Sequence, residues 1–105
     1  MNNWFLYLIR CRNGRLYTGI TTDVERRFEE HESGDKKGSK YLRGKAPLKL
    51  AMKKKIGNRS MALKIEAKVK KLSKIKKELL VDGKIKIREI KKKINSTANN
   101  NTQGK

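Results

Sequence analysis

The first third of the chain contains four side chains whose types and spacing suit phosphate chemistry. Tyr7 and Tyr17 lie ten residues apart, and Arg27 and His31 follow, four residues from each other. Hydrolysis of a phosphodiester needs an activated water, a cation near the phosphoryl oxygens and help for the leaving oxygen. A phenol has an ordinary pKa of about 10, so it becomes a base at neutral pH only where cations favour its phenolate. These side chains predict a hydrolytic site, provided that the fold brings them together.

One acidic side chain stands out in the rest of the sequence, because Glu66 is the only acid between Lys36 and Lys77. One interpretation is an ordinary ion pair with Lys70, one helical turn later. The other is a carboxylate ligand for a hard divalent cation such as Mg²⁺, which takes oxygen ligands and keeps several waters. A single protein carboxylate suffices in that case if substrate phosphate fills other positions. Both interpretations stay open from the residues alone.

A β-hairpin is expected to carry the two tyrosines. Residues 5–11 and 15–20 are rich in aromatic and β-branched side chains, as is typical of strands, and they flank Arg12-Asn13-Gly14. The loop between them contains two or three residues. A three-residue loop needs Gly14 in a left-handed conformation, which glycine adopts without steric cost.

The length of this loop decides whether the tyrosines share a face of the sheet. A two-residue turn pairs Arg10 with Tyr17 and sends the two phenols to opposite faces, because side chains alternate along a strand. A three-residue loop instead pairs Ile9 with Tyr17 and Tyr7 with Gly19, which makes the tyrosines diagonal neighbours on one face. We predict the three-residue loop.

A helix is expected directly after the hairpin, and it carries the other two side chains. Thr22 begins a capping-box pattern, which predicts it as the N-cap. Gly34 is typical of a residue that ends a helix. Arg27 and His31 are four residues apart, so they lie on one flank of this helix. Arg26 is the competing arginine, but it does not share that flank.

The remaining elements complete a small domain. We predict a short turn capped by Ser39, a strand over residues 48–52, a helix over residues 61–72 capped by Ser60, and a helix from Ser73 to Asp82. Residues 84–94 fit a strand or a helix, and we favour the helix. The predicted fold is α/β of the α+β type, with a three-stranded antiparallel sheet flanked by helices in the order β-β-α-β-α-α.

Length and composition indicate one domain with a modest core. We predict a domain over residues 1–83, a basic extension over residues 84–94 and a disordered polar tail over residues 95–105. No apolar run approaches the roughly 20 residues that cross a bilayer, and no secretory signal is recognisable. The single Cys11 forms no internal disulfide and points to a reducing compartment, so a cytoplasmic location is expected.

Positive charge is concentrated in one half of the chain. Residues 1–39 have a net charge of +1, whereas residues 40–93 have a net charge of +17 within the total of +19. Such a surface attracts polyanions through contacts that weaken as salt rises, so nucleic acid is the expected partner. The alternative is a lysine-rich surface that only keeps the protein solvated. A membrane surface is less favoured, because the basic helices lack aromatic anchors.

The stretch around the tyrosines resembles the GIY-YIG nuclease superfamily. The resemblance begins at Tyr7-Leu8-Ile9, Tyr17-Thr18-Gly19, Asp23, Arg27 and His31, and continues through Lys40-Tyr41, Pro47-Leu48, Gly57, Ser60, Ala62-Leu63 and Glu66. It covers about residues 4–80 and is greatest for the small stand-alone bacterial members. The sequence departs from the namesake motif twice, because Phe5-Leu6-Tyr7 has no glycine and Thr18 replaces isoleucine. Both tyrosines are retained.

The resemblance implies the same fold and a role for each candidate residue. It implies that Glu66 binds a divalent metal, Mg²⁺ or Mn²⁺, and that Arg27 holds the scissile phosphate. We expect Tyr7 to be the general base toward water and Tyr17 to orient phosphate or water; the two roles can be exchanged. His31 is expected to hydrogen-bond a tyrosine or to relay a proton. Taken singly, each residue also suits an ordinary structural position.

Four more residues are expected to contact nucleic acid, namely Gly19, Lys40, Tyr41 and Arg43. Glycine allows close approach of the backbone, and the other three can bind phosphates or stack on a base, although a plain loop explains them too. The leading hypothesis is a divalent-metal-dependent DNA endonuclease of DNA repair or processing, with RNA a less favoured substrate and no small-molecule cofactor. The alternative is a catalytically silent nucleic-acid-binding or adaptor protein. The sequence makes no prediction of oligomeric state.

Overall fold

A computed structural model describes residues 3–33 and 37–102. Its elements are β1 (Trp4–Arg10), β2 (Leu16–Thr21), α1 (Val24–Glu32), a single 3₁₀ turn (Lys40–Leu42), β3 (Lys49–Gly57), α2 (Arg59–Lys70), α3 (Lys74–Val81) and α4 (Ile87–Thr102). The strands form one antiparallel sheet in the order β2-β1-β3, so β1 is central and the other two are edges. The predicted α+β fold is confirmed, with one more helix at its C-terminal end.

The hairpin has the predicted three-residue loop. Ile9 pairs with Tyr17 and Tyr7 pairs with Gly19. Gly14 has a φ of 87°, the left-handed conformation that this loop requires. The two tyrosines therefore lie on the same face of the sheet.

The central strand is buried on both faces, and this creates two apolar cores. On one face, Tyr7, Ile9 and Cys11 pack with Val24 of α1, Leu42 and Leu48. On the other face, Leu6 and Leu8 pack with Ile65, Val69, Leu80 and Ile87 from the three later helices. Alternation along β1 thus assigns the tyrosine face to α1 and the opposite face to α2, α3 and α4.

Two helix N-caps differ from the predictions. Thr22 is not the cap of α1, because β2 continues through Thr21 and the side chain of Asp23 accepts the Arg26 N–H across 3.1 Å. In α2 the cap is Asn58, two residues before the predicted Ser60. In both cases, the end of the preceding strand decides which nearby polar side chain faces the first free N–H groups.

The end of α1 and the length of β3 also depend on their surroundings. The helix ends at Glu32 with Ser33 as its C-cap, and the predicted stop at Gly34 lies outside the described residues. The strand β3 runs for nine residues to Gly57, well beyond the predicted residue 52. Its lysine-rich second half is held in the strand because it pairs with β1 along that strand's whole length.

The C-terminal segment is helical from Ile87, as favoured for residues 84–94. Ile87 is buried, and Ile90 and Ile94 pack against the same core at helical spacing. By contrast with the predicted disordered tail over residues 95–105, residues 95–102 continue α4, because extending a packed helix costs far less than starting one. Residues 103–105 lie outside the described residues, and the division into domain and extension stays a prediction.

Candidate active site

Tyr7 and His31 meet in the interior between β1 and α1. The Tyr7 hydroxyl lies 2.9 Å from His31 Nε2, and both side chains are only 2 % exposed. On the other side of the imidazole, the Ser39 backbone N–H donates to Nδ1 across 3.0 Å. A neutral imidazole has one N–H, so Nε2 carries the hydrogen and donates it to the Tyr7 oxygen. Burial, reinforced by the positive charge of Arg27, lowers the pKa of His31 to about 4, so the ring is neutral at pH 7.

The Tyr7 oxygen consequently accepts a hydrogen bond and keeps its own proton for another partner. Burial raises the pKa of Tyr7 to about 12, and the nearby Tyr17 adds to this effect. The Arg27 guanidinium acts in the opposite direction and lowers the pKa of Tyr7. In the ligand-free protein Tyr7 is therefore a phenol at neutral pH, and it can become a base only when further positive charge arrives.

Tyr17 lies beside Tyr7 and closer to the surface. The ring centroids of the two tyrosines are 6.4 Å apart, and Tyr17 meets the His31 ring edge to face at 5.5 Å. On its outer side Tyr17 stacks on Tyr41, with 5.7 Å between centroids and 19° between planes. The Lys45 ammonium lies 4.7 Å from the Tyr41 centroid, so an aromatic column with a cation at one end leads from solvent to Tyr7.

Gly19 has a packing role beneath Tyr7 rather than a surface role. A Cβ at this position would overlap the Tyr7 hydroxyl and lie 2.5 Å from its ring carbon Cζ. The glycine is itself buried, and its contact with nucleic acid stays a prediction. Only glycine leaves room for the phenol to reach His31.

Arg27 is the arginine that faces the tyrosines. Its Nη1 donates to Glu30 Oε1 across 2.8 Å and to the Lys37 carbonyl across 2.5 Å, and its positive charge acts on the Tyr7 phenol. Arg26 is 64 % exposed and pairs with carboxylates of its own helix. Arg27 thus holds a fixed positive charge next to the phenols, in a position suited to a phosphate.

Glu66 approaches the same place from α2. Its side chain is 18 % exposed, and its partner Lys70 lines the same opening as Tyr17. Its negative charge is the smallest of the causes that raise the pKa of Tyr7. The Lys70 ammonium lies 3.4 Å from Glu66 Oε2, so the ion pair considered from the sequence is present.

The donor set fits a metal held only in part by protein. Within residues 3–33 and 37–102, no group of three or more His, Cys, Asp or Glu side chains could enclose an ion. A single carboxylate at Glu66 suits Mg²⁺ or Mn²⁺ that keeps water ligands and takes others from substrate phosphate. It does not suit zinc, which needs a fuller set of protein ligands.

A basic groove runs along the free edge of β2 beside these residues. One part, of about 350 Å³, is lined by Leu16, Tyr17, Thr18, Tyr41, Lys70 and Lys77, and a second part, of about 320 Å³, adds Arg15 and Lys74. We call it the β2 groove. The sequence identified Tyr41, which is 43 % exposed there, but Lys40 and Arg43 are exposed outside its lining. Net charge was the only sequence signal for the missed lysines, and it cannot say which of them converge.

Comparison with known proteins agrees with this geometry. A family model for the GIY-YIG catalytic domain matches residues 3–78. The UPF0213 protein YhbQ of Escherichia coli O127:H6 is 59 % identical over 81 residues, covering 77 % of this chain and 79 % of the relative. The YhbQ protein of Shigella boydii serotype 18 is 58 % identical over the same length.

A solved structure shows a similar fold. The solution NMR structure of the UPF0213 protein BH0048 from Bacillus halodurans has a TM-score of 0.50 and 44 % identity, covering 76 % of this chain and 83 % of its own. No helix within the described part of the chain is both long and apolar enough to span a bilayer. The family model covers most of the chain, and the structure brings the tyrosine, arginine and histidine side chains of the resemblance together. The protein therefore belongs to the GIY-YIG family, a family of nucleases.

Proposed function

We propose that this protein is a divalent-metal-dependent endonuclease that hydrolyses phosphodiester bonds of DNA. The observation that carries the proposal is the convergence of Tyr7, Tyr17, Arg27 and His31 on one face of the sheet with Glu66 beside them. These groups come from three separate elements, the β1–β2 hairpin, α1 and α2, and together they offer what activation of water at a phosphate needs.

Each side chain is proposed to have one task. Arg27 binds the scissile phosphate, because its planar donors are fixed by Glu30 and point to the phenols. Tyr7 first loses its own proton to solvent, and the hydrogen bond from His31 and the positive charge of Arg27 stabilise the resulting phenolate. The phenolate then takes a proton from the attacking water and returns to a phenol. Tyr17, which is less buried, orients the phosphate or the water. Glu66 would hold Mg²⁺ or Mn²⁺, which when bound supplies positive charge to the phosphoryl oxygens.

The assignment of the two roles to Tyr7 and Tyr17 rests on their hydrogen bonds. Tyr7 is the phenol whose oxygen receives the His31 N–H, so deprotonation leaves a phenolate that already has a donor in place. Tyr17 has ring contacts with His31 and Tyr41 and no hydrogen bond from either ring. We therefore propose Tyr7 as the base, although its pKa lies well above neutrality before metal and phosphate bind.

DNA is the proposed partner, held along the β2 groove. The groove combines lysines and an arginine with the exposed ring of Tyr41, and it opens directly beside Tyr17. Lysines serve here as phosphate contacts, which give affinity without sequence selectivity. A role in DNA repair or processing in the cytoplasm is proposed, with RNA as a less favoured substrate.

A catalytically silent nucleic-acid-binding or adaptor protein is the second candidate. Two observations favour it. Lys70 pairs with the carboxylate proposed as the metal ligand, and burial keeps Tyr7 protonated. The two candidates differ in one consequence. A nuclease loses cleavage but not binding when Glu66 is removed, whereas a silent binder cleaves no form of DNA with any metal.

The decisive experiment incubates supercoiled, branched and single-stranded DNA with the protein in Mg²⁺, Mn²⁺ or EDTA. Glu66→Ala and Tyr7→Phe are compared with the matched controls Glu89→Ala, an exposed helix glutamate outside the site, and Tyr41→Phe, which keeps its ring stack. We expect metal-dependent cleavage by the wild type and both controls, with a loss of at least about 100-fold in the two site variants. Equal cleavage by Glu66→Ala and the wild type would refute the metal-ligand assignment.

A further inference from the structure

A second groove lies at the other edge of the sheet, away from the tyrosines. It has a volume of about 390 Å³ and lies between β3 and the connection from α3 to α4. Its lining divides into an apolar floor of Met52, Leu80, Val81, Ile85 and Ile87 and a cationic rim of Lys53, Lys54, Lys86 and Arg88, with Gly83 at the turn. We call it the β3 groove.

The two grooves are separate. The sheet order is β2-β1-β3, so the β2 groove follows one edge of the sheet and the β3 groove follows the opposite edge. With strands about 4.8 Å apart, the two edge strands are roughly 10 Å from each other, and the ligands would lie farther apart still. None of Tyr7, Tyr17, Tyr41, Arg27 or Glu66 lines the β3 groove.

The rim carries more positive charge than its neighbours neutralise. Lys53 pairs with Glu25 across 2.7 Å. Lys54, Lys86 and Arg88 are exposed, and within the described residues none of them has a salt bridge of 4.0 Å or less. The acids closest in sequence are Asp82 and Glu89, and a Glu89 oxygen lies 3.4 Å from the Lys86 backbone nitrogen. Three cations therefore face solvent around one opening.

The floor favours a polyanion over a planar base. It contains aliphatic and thioether side chains but no aromatic ring, so it offers no platform on which a base could stack. A cleft with cations of one sign and an apolar, low-dielectric wall focuses its field and concentrates counter-ions. Backbone phosphates fit this arrangement through charge alone.

We infer that the β3 groove binds a second segment of duplex DNA while the β2 groove holds the segment at the active site. The choice of DNA rests on the proposed function, whereas the existence of the second binding surface does not. One molecule would then bridge two duplex segments. This surface would add to the grip on the substrate that the β2 groove provides.

The test uses two short duplexes, one with a donor and one with an acceptor fluorophore, mixed with the protein in EDTA. Energy transfer reports bridging, and anisotropy of either duplex reports binding. The groove variant is Lys54→Ala/Lys86→Ala/Arg88→Ala. The matched control, Lys64→Ala/Lys68→Ala/Lys71→Ala, removes the same charge from exposed positions on or just after α2. A third variant, Arg15→Ala/Lys77→Ala, weakens the β2 groove instead.

We expect bridging by the wild type and the control, and its loss in both groove variants. The log–log salt slope for binding by the Lys54/Lys86/Arg88 variant should fall by about 2 to 3, because up to three phosphate contacts disappear. If the Lys54/Lys86/Arg88 variant and the Lys64/Lys68/Lys71 control lose bridging equally, the effect comes from net charge and not from the β3 groove. If the Lys54/Lys86/Arg88 variant bridges as well as the wild type, the β3 groove is not the second binding surface. The bridging assay contains no metal, so its outcome does not depend on cleavage. Failure to cleave DNA in the separate experiment with Mg²⁺ or Mn²⁺ would refute the nuclease proposal and leave the bridging result intact.

Discussion

The backbone N–H of Ser39 donates to Nδ1 of His31 across 3.0 Å, and this hydrogen bond fixes the direction of the next one. With Nδ1 occupied as an acceptor, Nε2 donates to the Tyr7 hydroxyl oxygen 2.9 Å away. Ser39 also caps the 3₁₀ turn, since its Oγ accepts the Tyr41 N–H across 3.2 Å. One residue therefore links the buried imidazole to the tyrosine that opens on the β2 groove.

Replacement of His31 should change how stability depends on pH. The pKa of His31 is about 4 when folded and about 6.5 when unfolded, so the unfolded state binds more protons between these values. Stability contributed by this neutral ring is present above pH 6.5 and falls as pH drops toward 4. We expect the wild type to lose on the order of 2–3 kcal/mol between pH 7 and pH 4.5 from this group alone.

Urea unfolding at the two pH values measures this loss. The matched comparison is His31→Gln, which retains hydrogen-bonding groups but does not titrate, and it should show a correspondingly flatter pH dependence. Since His31 is the only histidine of the chain, no second imidazole contributes. The same pH dependence in both proteins would mean that His31 is not buried as a neutral ring.

The rate of cleavage should rise with pH because of Tyr7. The pKa of Tyr7 is about 12 in the ligand-free protein, and a bound cation would lower it. Below the pKa of the loaded site, the fraction of phenolate grows about tenfold for each pH unit, so we expect the single-turnover rate to rise with pH from 7 until that pKa is reached. Tyr7→Phe should cut the rate by roughly 100-fold or more and remove the rise.

Tyr17→Phe is the informative counterpart. If Tyr7 is the base, this variant is slower but keeps the rise with pH. If the cleavage rate no longer rises with pH in Tyr17→Phe but still rises in Tyr7→Phe, Tyr17 is the base and the two roles are exchanged. A rise retained in both variants would assign the pH dependence to water instead of to either phenol.

Thr18→Val should stabilise the protein. The Thr18 hydroxyl is buried, and it has no hydrogen-bond partner among the described residues. Valine has nearly the same shape, so the change removes an unpaired polar group and should add about 1 kcal/mol to the free energy of unfolding. Thr21→Val is the matched control, because Thr21 Oγ1 accepts the Asp23 N–H across 3.2 Å. Loss of this hydrogen bond should lower the free energy of unfolding by about 1 kcal/mol.

Denaturant titrations of both variants, together with cleavage rates, separate two meanings of Thr18. If Thr18→Val is more stable and equally active, the Thr18 hydroxyl has no role in cleavage. If Thr18→Val is more stable but much less active, the Thr18 hydroxyl contacts a ligand bound in the β2 groove. A destabilised Thr18→Val protein would contradict the absence of a partner.

The ion pair between Arg10 and Glu78 should protect the fold down to low pH. Two parallel bonds of 2.7 Å join the guanidinium at the end of β1 to the carboxylate in α3, and Lys74 adds a third at 2.8 Å. These cations lower the pKa of Glu78 to about 2 from 4.5. Its contribution is therefore complete above pH 4.5 and disappears as pH falls through 2.

Glu78→Gln should reduce the free energy of unfolding at pH 7 by about 1 kcal/mol. The expected loss is small because the Arg10 and Glu78 side chains are each about one-third exposed, so solvent screens their attraction. Glu29→Gln, at an exposed glutamate of α1, should have almost no effect. Thermal unfolding at low and high salt measures both. A loss that grows in high salt would contradict an electrostatic origin.

Local rules were sufficient for the features that depend on neighbours in sequence. The strand pattern and Gly14 predicted the hairpin register, because a single left-handed residue fixes which positions face each other. The four-residue spacing placed Arg27 and His31 on one flank of α1. The excess of lysine after residue 40 predicted an anionic partner but not its location.

Only the tertiary structure decided the properties that arise from contacts distant in sequence. The length of β2 selected Asp23 over Thr22 as the cap of α1. Burial between the sheet and α1 raised the pKa of Tyr7 and lowered that of His31, and neither shift follows from residue type. The packing of the helices on two faces of β1 determined which lysines line each groove, because charge counts along a chain contain no information about which side chains converge in space.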